Sequence, residues 1–253
     1  MLQIIIEGEC ENNPKFMLLD CAPACQSCDQ LHYETRCPYD DKLGVWKEKG
    51  DLNTMFQGIL DQYQPTILSQ DPWVLLLDDF LTADECQSLL DWGSKIGYVR
   101  SGETIRNGTM GIQSHQRTST NAWCRNECYQ DPKMQGISAK LEQLTGIPES
   151  HGEFLQLLQY ENGQCYKRHH DRIATDFNRP QGVRILTVFF YLNDVEAGGG
   201  THFPRLGITV QPKRGRAVIW PNVLDDRHNS VDVRTEHEAL AVEKGIKYGA
   251  NGM

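Results

Sequence analysis

The part of the chain that follows residue 150 consists of short β-rich runs, and these runs limit the fold more than any other feature. The runs EFLQLLQY, RILTVFFYLNDV, GITVQP and RAVIWPN are separated by glycine and proline. Short runs of apolar, β-branched and aromatic residues between such breakers are typical of strands. The last run, HEALAVEKGIKYGAN, predicts two further strands that pair around a turn at Lys244 and Gly245.

Two helices and a buried strand are predicted ahead of these runs. The strand candidate is PWVLLLDDFL, and a capping box formed by Thr82 and Glu85 begins the first helix directly after it. In the second helix Asp131 is the N-cap, and Gly146 ends an apolar stripe with helical spacing. Two helices leading into six or more short strands predict a mainly β, α+β domain of the sandwich or jelly-roll type.

The first 40 residues differ in composition from the rest of the chain. Five of the nine cysteines fall between positions 10 and 37, a density typical of a disulfide module or a metal knuckle. Residues 41–71 are polar, with one possible short helix around LNTMFQGILDQY, and they predict a linker. The expected organisation is a Cys-rich segment over 1–40, the linker over 41–71 and the main domain over 72–253. Within that domain, Cys124 and Cys128 predict a disulfide or two free thiols.

The charge and hydropathy of the chain argue against some classes of function. The formal net charge is −9, and a chain without a basic run is poorly suited to bind a phosphate backbone, so no nucleic-acid partner is expected. No apolar run approaches the roughly 20 residues of a membrane span. The opening MLQIII is too short for a signal peptide and lacks its basic residues, so no targeting segment is visible.

The segment CYKRHHDRIATDF carries the clearest candidates for metal binding. If it is extended, side chains two positions apart share a face, so His169 and Asp171 point one way and His170 points the other. A histidine and a carboxylate on one strand supply two ligands. A second histidine would complete the triad of non-haem Fe(II) oxygenases, although zinc hydrolases use a similar ligand set.

Two later histidines, His228 and His237, could supply the third ligand. Lys247 favours His237, because it lies ten residues further on, on the opposing strand of the predicted terminal hairpin. A lysine inside a barrel needs an anionic partner, since an unpaired buried ammonium group is costly. A bound carboxylate would provide that partner, whereas a polar loop without such a residue follows His228. The predicted ligand set is therefore His169, Asp171 and His237.

Four stretches in this part of the chain resemble one enzyme family. They are LQLLQYENGQCYKRHHD, RILTVFFYLNDVEAGGGTHFP, PKRGRAVIWPN and RTEHEALAVEKGIKYGAN. Together they resemble the catalytic domain of prolyl 4-hydroxylases, which are Fe(II)- and 2-oxoglutarate-dependent dioxygenases with a double-stranded β-helix (jelly-roll) fold. The likeness extends from about Pro72 to the C-terminus and includes PWVLLLDDFLTADECQSLL and RTSTNAWC.

The resemblance implies three groups of site residues: iron ligands, partners of the distal carboxylate of 2-oxoglutarate, and contacts to a peptide substrate. A mobile loop over residues 100–123 would cover the peptide. The three groups are, in that order, His169, Asp171 and His237; Lys247, Tyr160 and Thr201; and Tyr166, Arg184 and Arg117.

The resemblance also implies an activity. The chain would convert peptidyl proline to 4-hydroxyproline with Fe(II), O₂ and 2-oxoglutarate, releasing succinate and CO₂, and ascorbate would rescue oxidised iron. Its partner would be a proline-containing peptide or protein. Its compartment would be the endoplasmic reticulum lumen or the secretory pathway, in agreement with the Cys-rich start. The alternatives are a 2-oxoglutarate oxygenase for another substrate and an inactive secreted binding protein with the same fold.

The Cys-rich start has a likeness of its own. GECENNPKFMLLDCAPACQSC resembles the C-terminal part of a ShK toxin-like module, a six-cysteine unit of which four cysteines are present here. The pattern of that family would pair Cys10 with Cys25 and put the partners of Cys21 and Cys28 upstream of Met1. A truncated module is therefore expected. At the other end, Met253 stands where the oxygenase family has an aromatic residue.

Overall fold

The computed structural model describes Cys25 and residues 49–102, 115–172 and 182–252. The chain divides into two compact units, Met1–Gly44 and Val45–Met253. Only Cys25 is described in the first unit, so the ShK-like segment and the predicted bond from Cys10 lie outside the described residues. The helices and strands considered below all belong to the second unit.

Helices dominate the first part of this unit and strands dominate after residue 155. The helices are α1 (Asp51–Tyr63), α2 (Ala83–Ile96), α3 (Glu127–Gln130) and α4 (Pro132–Thr145), with two 3₁₀ helices, Glu149–His151 and Val233–Thr235. The strands are β1 (Thr66–Gln70), β2 (Trp73–Leu77), β3 (Val99–Arg100), β4 (Thr120–Trp123), β5 (Gln156–Tyr160), β6 (Tyr166–His169), β7 (Leu186–Tyr191), β8 (Ala197–Gly198), β9 (Thr201–Phe203), β10 (Ile208–Val210), β11 (Ala217–Pro221), β12 (Val223–Leu224), β13 (Arg227–Val231), β14 (His237–Ala239), β15 (Val242–Lys244) and β16 (Lys247–Gly252). None of the helices in the described ranges is both long enough and apolar enough to cross a bilayer.

Two sheets form the framework of the unit. The large sheet has the order β1-β2-β11-β7-β16-β5-β4-β3, and the small sheet has the order β10-β9-β14-β6. One hydrophobic cluster combines residues of both sheets, among them Phe189, Tyr191 and Phe203. A second cluster joins the other face of the large sheet to α1, α2 and α4. The predicted mainly β jelly-roll fold with supporting helices is confirmed.

The side chains of β7 alternate between these two clusters. Val188 and Phe190 belong to the helix-side cluster, whereas Phe189 and Tyr191 belong to the cluster between the sheets. Because both faces of the strand are covered, its sequence is the nearly continuous apolar run LTVFFY. Thr187 is the polar exception, and it shares the inner face with Phe189 and Tyr191.

The predicted starts of α2 and α4 are confirmed. In α2 the Thr82 hydroxyl accepts a hydrogen bond from the Glu85 N–H, and Glu85 Oε2 accepts one from the Thr82 N–H at 2.7 Å. In α4 the Asp131 side chain accepts a hydrogen bond from Lys133 N at 2.8 Å, and Gly146 ends the helix with a φ of 68°. These caps pair N–H and C=O groups that helix ends leave without intrahelical partners.

The structure differs from the linker that the sequence predicts over 41–71. Residues 51–70 form α1 and β1, and β1 is the edge strand of the large sheet. The helix buries Leu52, Phe56 and Ile59 in the helix-side cluster, and Phe56 stacks on Trp73 with ring centroids 5.7 Å apart. Spacings of four and three residues put these side chains on one helix face, although the segment as a whole is polar.

The terminal hairpin predicted around Lys244 and Gly245 is not formed. β15 pairs with β8, and β16 pairs with β5 and β7 in the large sheet. β14, which begins at His237, pairs with β6 and β9 in the small sheet. Successive strands of a double-sheet jelly roll change sheets, so a short turn does not imply that its flanking strands pair. His237 and Lys247 therefore belong to different sheets.

Cys124 and Cys128 form a disulfide between the end of β4 and α3. Both residues are buried in the helix-side cluster. In the part of the chain that the structure describes, Cys86 and Cys165 are free thiols.

Candidate metal centre

Two histidines and one aspartate converge on the small sheet. His169 ends β6 and His237 begins β14, and antiparallel pairing sets them directly opposite each other. Asp171 follows β6 by two residues, with Oδ1 3.6 Å from His169 Nε2 and Oδ2 3.6 Å from His237 Nε2. The three candidate ligand atoms lie within 4.8 Å of one another, close enough to share one metal ion.

Backbone carbonyls fix the tautomers of both histidines. His169 Nδ1 lies 2.7 Å from the Lys167 carbonyl oxygen, and His237 Nδ1 lies 3.0 Å from the Thr235 carbonyl oxygen. A carbonyl only accepts, so each Nδ1 carries the proton and donates it. In the neutral form of each ring the lone pair is then on Nε2, which lies 3.6 Å from an oxygen of Asp171. Orientation of this kind is typical of histidines that bind metals.

Burial and neighbouring groups give the cluster the protonation states that bind metal. Burial alone would raise the pKa of Asp171, but the imidazoles of His237 and His169 and the Thr187 hydroxyl hold that pKa below its ordinary range. Burial lowers the pKa of His237 to about 4. At neutral pH the cluster therefore presents a carboxylate and a neutral imidazole, which are the forms that ligate metal ions.

His170 and His228 stay outside this cluster. His170 is partly buried, burial lowers its pKa, and its Nδ1 has no hydrogen-bond partner among the described residues. His228 lies on β13, which pairs with β12 in a separate two-stranded sheet. The three predicted ligands therefore lie together in the structure. The two histidines that were not predicted to be ligands, His170 and His228, are not part of the group.

Lys247 is buried nearby on the large sheet. It begins β16, is paired in register with Tyr160 on β5, and is 1% exposed. Its Nζ lies 5.0 to 5.3 Å from the ring centroids of Tyr160, Phe189 and Tyr191, and it has no hydrogen-bond partner in the described ranges. Burial lowers its pKa to about 7. The aromatic faces offset part of the desolvation of the ammonium group but satisfy none of its N–H donors.

One cavity connects two of the candidate ligands, His169 and His237, with Lys247. Its lining comes from both sheets and includes Tyr160 and Thr201, which the family resemblance implies bind the distal carboxylate of 2-oxoglutarate together with Lys247. The lining residues are Leu158, Tyr160, Tyr166, His169, Phe189, Thr201, Trp220, His237, Ala239, Lys247 and Asn251.

Tyr191 is a polar residue of this region that the sequence reading missed. Its hydroxyl donates a hydrogen bond to Thr201 Oγ1 at 2.7 Å, and both residues are buried. Alternation along RILTVFFYL could have indicated it, because it lies two positions beyond Phe189 and four beyond Thr187 on the same face. Trp220 was missed as well; its Nε1 has no hydrogen-bond partner among the residues described.

Arg117 and Tyr166, predicted to contact a peptide, lie against the metal cluster. The Tyr166 ring stacks on His169 with ring centroids 3.4 Å apart. Arg117 Cζ lies 4.8 Å from the centroid of the Tyr166 ring, and an isolated antiparallel bridge joins the two backbones. The guanidinium group also donates a hydrogen bond to Gln156 Oε1 at 3.2 Å. Arg117, Tyr166 and His169 therefore form a stack of three planar groups.

Arg184 reaches the same region from the residues that precede β7. Its guanidinium group pairs with Glu153, with Nη2 3.0 Å from Oε2, and its Nη1 donates to the Asp171 carbonyl oxygen at 3.4 Å. Residues 103–114 of the predicted mobile loop lie outside the described residues.

Comparison with known proteins identifies the family. Residues 155–252 match the 2OG-Fe(II) oxygenase superfamily. Prolyl 4-hydroxylase 1 of Arabidopsis thaliana is 32% identical over 202 residues, which cover 74% of this chain and 70% of that protein. The alpha-1 subunit of prolyl 4-hydroxylase from Mus musculus is 37% identical over 155 residues, which cover 58% of this chain and 28% of that protein.

Solved structures share the fold. The viral collagen prolyl hydroxylase of Paramecium bursaria Chlorella virus-1, solved as its 2OG complex, has a TM-score of 0.54 and 26% identity, covering 71% of this chain and 93% of that chain. A Pseudomonas putida prolyl-4-hydroxylase at 19% identity has the same fold, with a TM-score of 0.53, over 78% of this chain and 97% of that chain. Sequence and fold lead to one assignment: this chain belongs to the 2OG-Fe(II) oxygenase superfamily, among the prolyl 4-hydroxylases.

Proposed function

We propose that this chain converts proline residues of a peptide or protein substrate to 4-hydroxyproline. Fe(II) is its metal, 2-oxoglutarate and O₂ are its cosubstrates, and succinate and CO₂ are its further products. Membership of the prolyl 4-hydroxylases supports the reaction type. The observation that carries the proposal is a buried ammonium group, without a partner among the described residues, in the same cavity as two of three convergent metal ligands.

The donor set fits Fe(II). His169, His237 and Asp171 supply two imidazole nitrogens and one carboxylate, a combination that leaves half of an octahedral coordination sphere open to other molecules. When bound, the metal supplies the oxidative chemistry, while the protein provides position and shielding. His237 and Asp171 are 5% and 8% exposed, so these side chains hold the reacting groups away from bulk water.

The polar groups of the cavity suit 2-oxoglutarate, since Lys247 can pair with its distal carboxylate. Such a pair removes the penalty of burying an ammonium group without an anion. Tyr160 and Thr201 donate hydrogen bonds to the same carboxylate. Because the Thr201 oxygen already accepts a bond from the Tyr191 hydroxyl, the Thr201 proton is available to the ligand.

Tyr166, Arg117 and Arg184 contact the peptide substrate in this proposal. An aromatic ring offers a flat apolar surface to a proline ring, and guanidinium groups offer N–H donors to peptide carbonyls. All three residues lie within contact distance of His169 or Asp171, or of each other. A peptide held by these groups would present its proline next to the metal.

The secretory pathway, and within it the endoplasmic reticulum lumen, is the proposed compartment, because a disulfide such as Cys124–Cys128 persists in oxidising surroundings. Ascorbate is the proposed reductant of iron that becomes oxidised between productive turnovers. Omitting ascorbate is expected to shorten the linear phase of succinate release and to leave its initial rate unchanged.

The test is succinate release and hydroxyproline formation with Fe(II), 2-oxoglutarate and a proline-rich peptide. The peptide is expected to stimulate succinate release, with one hydroxyproline formed per succinate. His169→Ala is expected to abolish both products, and His170→Ala, the adjacent histidine outside the cluster, serves as the matched control.

Two other outcomes would contradict the proposal. Succinate release that no proline-containing peptide stimulates would indicate an oxygenase for another substrate. A His169→Ala variant that matches the unchanged chain in metal binding and every activity assay would indicate a binding protein with an oxygenase fold.

A further inference from the structure

We infer that Thr187 and Asn222 are positioning residues that determine which oxygen of Asp171 binds the metal; the inference rests on the proposed function. Thr187 Oγ1 donates a hydrogen bond to Asp171 Oδ2 at 2.7 Å, and Asn222 Nδ2 donates one to Thr187 Oγ1 at 2.8 Å. Thr187 and Asn222 are both 0% exposed. We call the three residues the carboxylate relay.

Chemistry fixes the direction of both hydrogen bonds. A carboxylate can only accept, so the single hydroxyl proton of Thr187 must lie toward Asp171 Oδ2. The Thr187 oxygen can then only accept a further bond, and Asn222 must turn its NH₂ group toward it. The opposite amide orientation would set two acceptors against each other at 2.8 Å. The direction therefore does not depend on how the amide atoms are assigned.

The relay makes the two oxygens of Asp171 inequivalent. Each oxygen lies 3.6 Å from a histidine Nε2, Oδ1 from that of His169 and Oδ2 from that of His237, but only Oδ2 accepts the Thr187 hydroxyl bond. Thr187 thereby holds the carboxylate plane and leaves Oδ1 for the metal. Binding through one oxygen keeps a coordination position open that binding through both oxygens would occupy.

The sheet framework anchors the relay. Asn222 follows β11 directly, its N–H donates to the Ile185 carbonyl at 2.7 Å, and its carbonyl accepts from Asp232 N at 3.1 Å. Thr187 is paired in register with Trp220, two residues before Asn222. Asn222 Oδ1 has no hydrogen-bond partner in the part of the chain that is described. The hydrogen bond that the structure describes for this side chain is the one that Nδ2 donates to Thr187. Buried polar atoms without partners are rare.

The first experiment measures Mn(II) affinity from the electron paramagnetic resonance signal of unbound Mn(II). Thr187→Val keeps the shape of the side chain and removes the hydroxyl, and it is expected to weaken Mn(II) binding about 10- to 100-fold, the range for lost partners of metal ligands. Thr187→Ser keeps the hydroxyl and is expected to remain within about threefold of the unchanged chain. Thr145→Val, which removes a buried hydroxyl that bonds to Leu141 in α4, is the control and is expected to bind normally.

Asn222→Asp tests the direction of the relay. A second carboxylate of nearly the same shape would take the Thr187 proton and leave Asp171 Oδ2 without its donor, so Mn(II) affinity is expected to fall as in Thr187→Val. Because Asn222 acts through Thr187, the double variant is expected to bind no more weakly than Thr187→Val alone. Fully additive losses, or equal losses in Thr187→Val and Thr187→Ser, would overturn the inference.

A crystal structure of the unchanged chain with Mn(II) tests the inference without any variant. Coordination by Asp171 Oδ1 alone, with Oδ2 still bonded to Thr187, is expected. Coordination by Oδ2 or by both oxygens would overturn it. Failure of the unchanged chain to bind Mn(II) contradicts the proposed function as well, whereas Mn(II) binding without succinate release contradicts the proposed activity alone.

Discussion

Lys247 is the residue where ligand binding and stability oppose each other. Its ammonium group is 1% exposed, and burial lowers its pKa to about 7. An unfolded lysine has a pKa near 10.4, so between about pH 10 and pH 7 the unfolded chain binds a proton that the folded chain does not. The contribution of Lys247 to stability therefore falls as the pH is lowered through that window.

Lys247→Met is expected to stabilise the chain without ligands and to abolish its stabilisation by 2-oxoglutarate. The free energy of unfolding should rise by roughly 1 to 4 kcal/mol at pH 7, and by less at pH 9, where the unfolded lysine binds its proton less strongly. With Mn(II) present, 2-oxoglutarate at about 100 times its Kd should add about 2.7 kcal/mol to the unchanged chain and little to the variant. Thermal and chemical unfolding measure both effects.

The control for this substitution is Lys244→Met. Lys244 is exposed and pairs with exposed Glu196, so its replacement should alter neither stability nor ligand response by more than a few tenths of a kcal/mol. A destabilised Lys247→Met chain, or one that 2-oxoglutarate still stabilises fully, would contradict the assigned role.

The affinity for 2-oxoglutarate is expected to weaken as the pH rises above 7. Near pH 7 and above, an increasing fraction of the Lys247 amine is neutral before binding. Binding of 2-oxoglutarate must then be accompanied by the uptake of a proton at Lys247. The Kd should then increase up to tenfold per pH unit, since each unit of pKa difference corresponds to about 1.4 kcal/mol. Calorimetry with Mn(II) at pH 7.0 to 8.5, in buffers of different ionisation enthalpy, measures both the Kd and the proton uptake.

The variant Lys247→Arg distinguishes the titration of Lys247 from that of other groups as the cause of the pH dependence. A guanidinium group stays charged across the range, so the pH dependence should flatten even if the absolute affinity is lower. An identical slope in the arginine variant would show that another group takes up the proton.

The functional role of a residue could be predicted from the sequence where its residue type is unusual for its position. The pair His169 and Asp171 follows from strand alternation, and Lys247 stands out because ammonium groups are rarely buried. Thr187 and Asn222 could not be found in this way, because hydroxyl and amide side chains occur everywhere. Their roles depend on two hydrogen bonds between segments that are distant in sequence.

At the level of elements, α1 shows how a polar stretch can belong to a core. Its buried face consists of only three side chains on a helix that is otherwise exposed or half-buried. Capped helices such as α2 are predictable because the signals are local: Thr82 and Glu85 are three residues apart. Strand pairing around Gly245 was not predictable, because the partners of β15 and β16 lie elsewhere in the chain.

Phe56→Ala is expected to lower the free energy of unfolding by about 3 to 5 kcal/mol, the range for a phenylalanine removed from a packed core. The ring is 0% exposed and stacks on Trp73. Gln57→Ala, at the adjacent exposed position, is expected to change stability by less than about 0.5 kcal/mol. Urea unfolding monitors both variants, and equal stability of the two would mean that residues 51–63 are a linker after all.

On the scale of the whole molecule, the site depends on both sheets. His169 and His237 belong to β6 and β14 in the small sheet, and Asp171 follows β6 by two residues. Lys247 and Tyr160 belong to β16 and β5 in the large sheet. The sheets pack through a shared hydrophobic cluster that includes Phe203 and Phe189. Metal and 2-oxoglutarate should therefore act on different parts of the fold.

Hydrogen exchange is expected to show the effects of the metal and of 2-oxoglutarate on the two sheets separately. Mn(II) alone should slow amide exchange in β6 and β14, because a metal held by the candidate ligands would join residues of those strands. Addition of 2-oxoglutarate should extend protection to β16 and β5 in the unchanged chain, but not in Lys247→Met. Protection of both sheets by Mn(II) alone would contradict a division of the site between them.

The positions of His237 and Lys247 on facing sheets also bear on which dicarboxylates the protein accepts. Stacked sheets lie about 10 Å apart, a spacing set by the side chains packed between them. A cosubstrate that binds the metal with one end and Lys247 with the other must therefore have a length that matches the distance between the two sheets. Shorter and longer homologues of 2-oxoglutarate are therefore expected to bind more weakly, and a change in the volume of Phe189, which lines the cavity, is expected to change the preferred length.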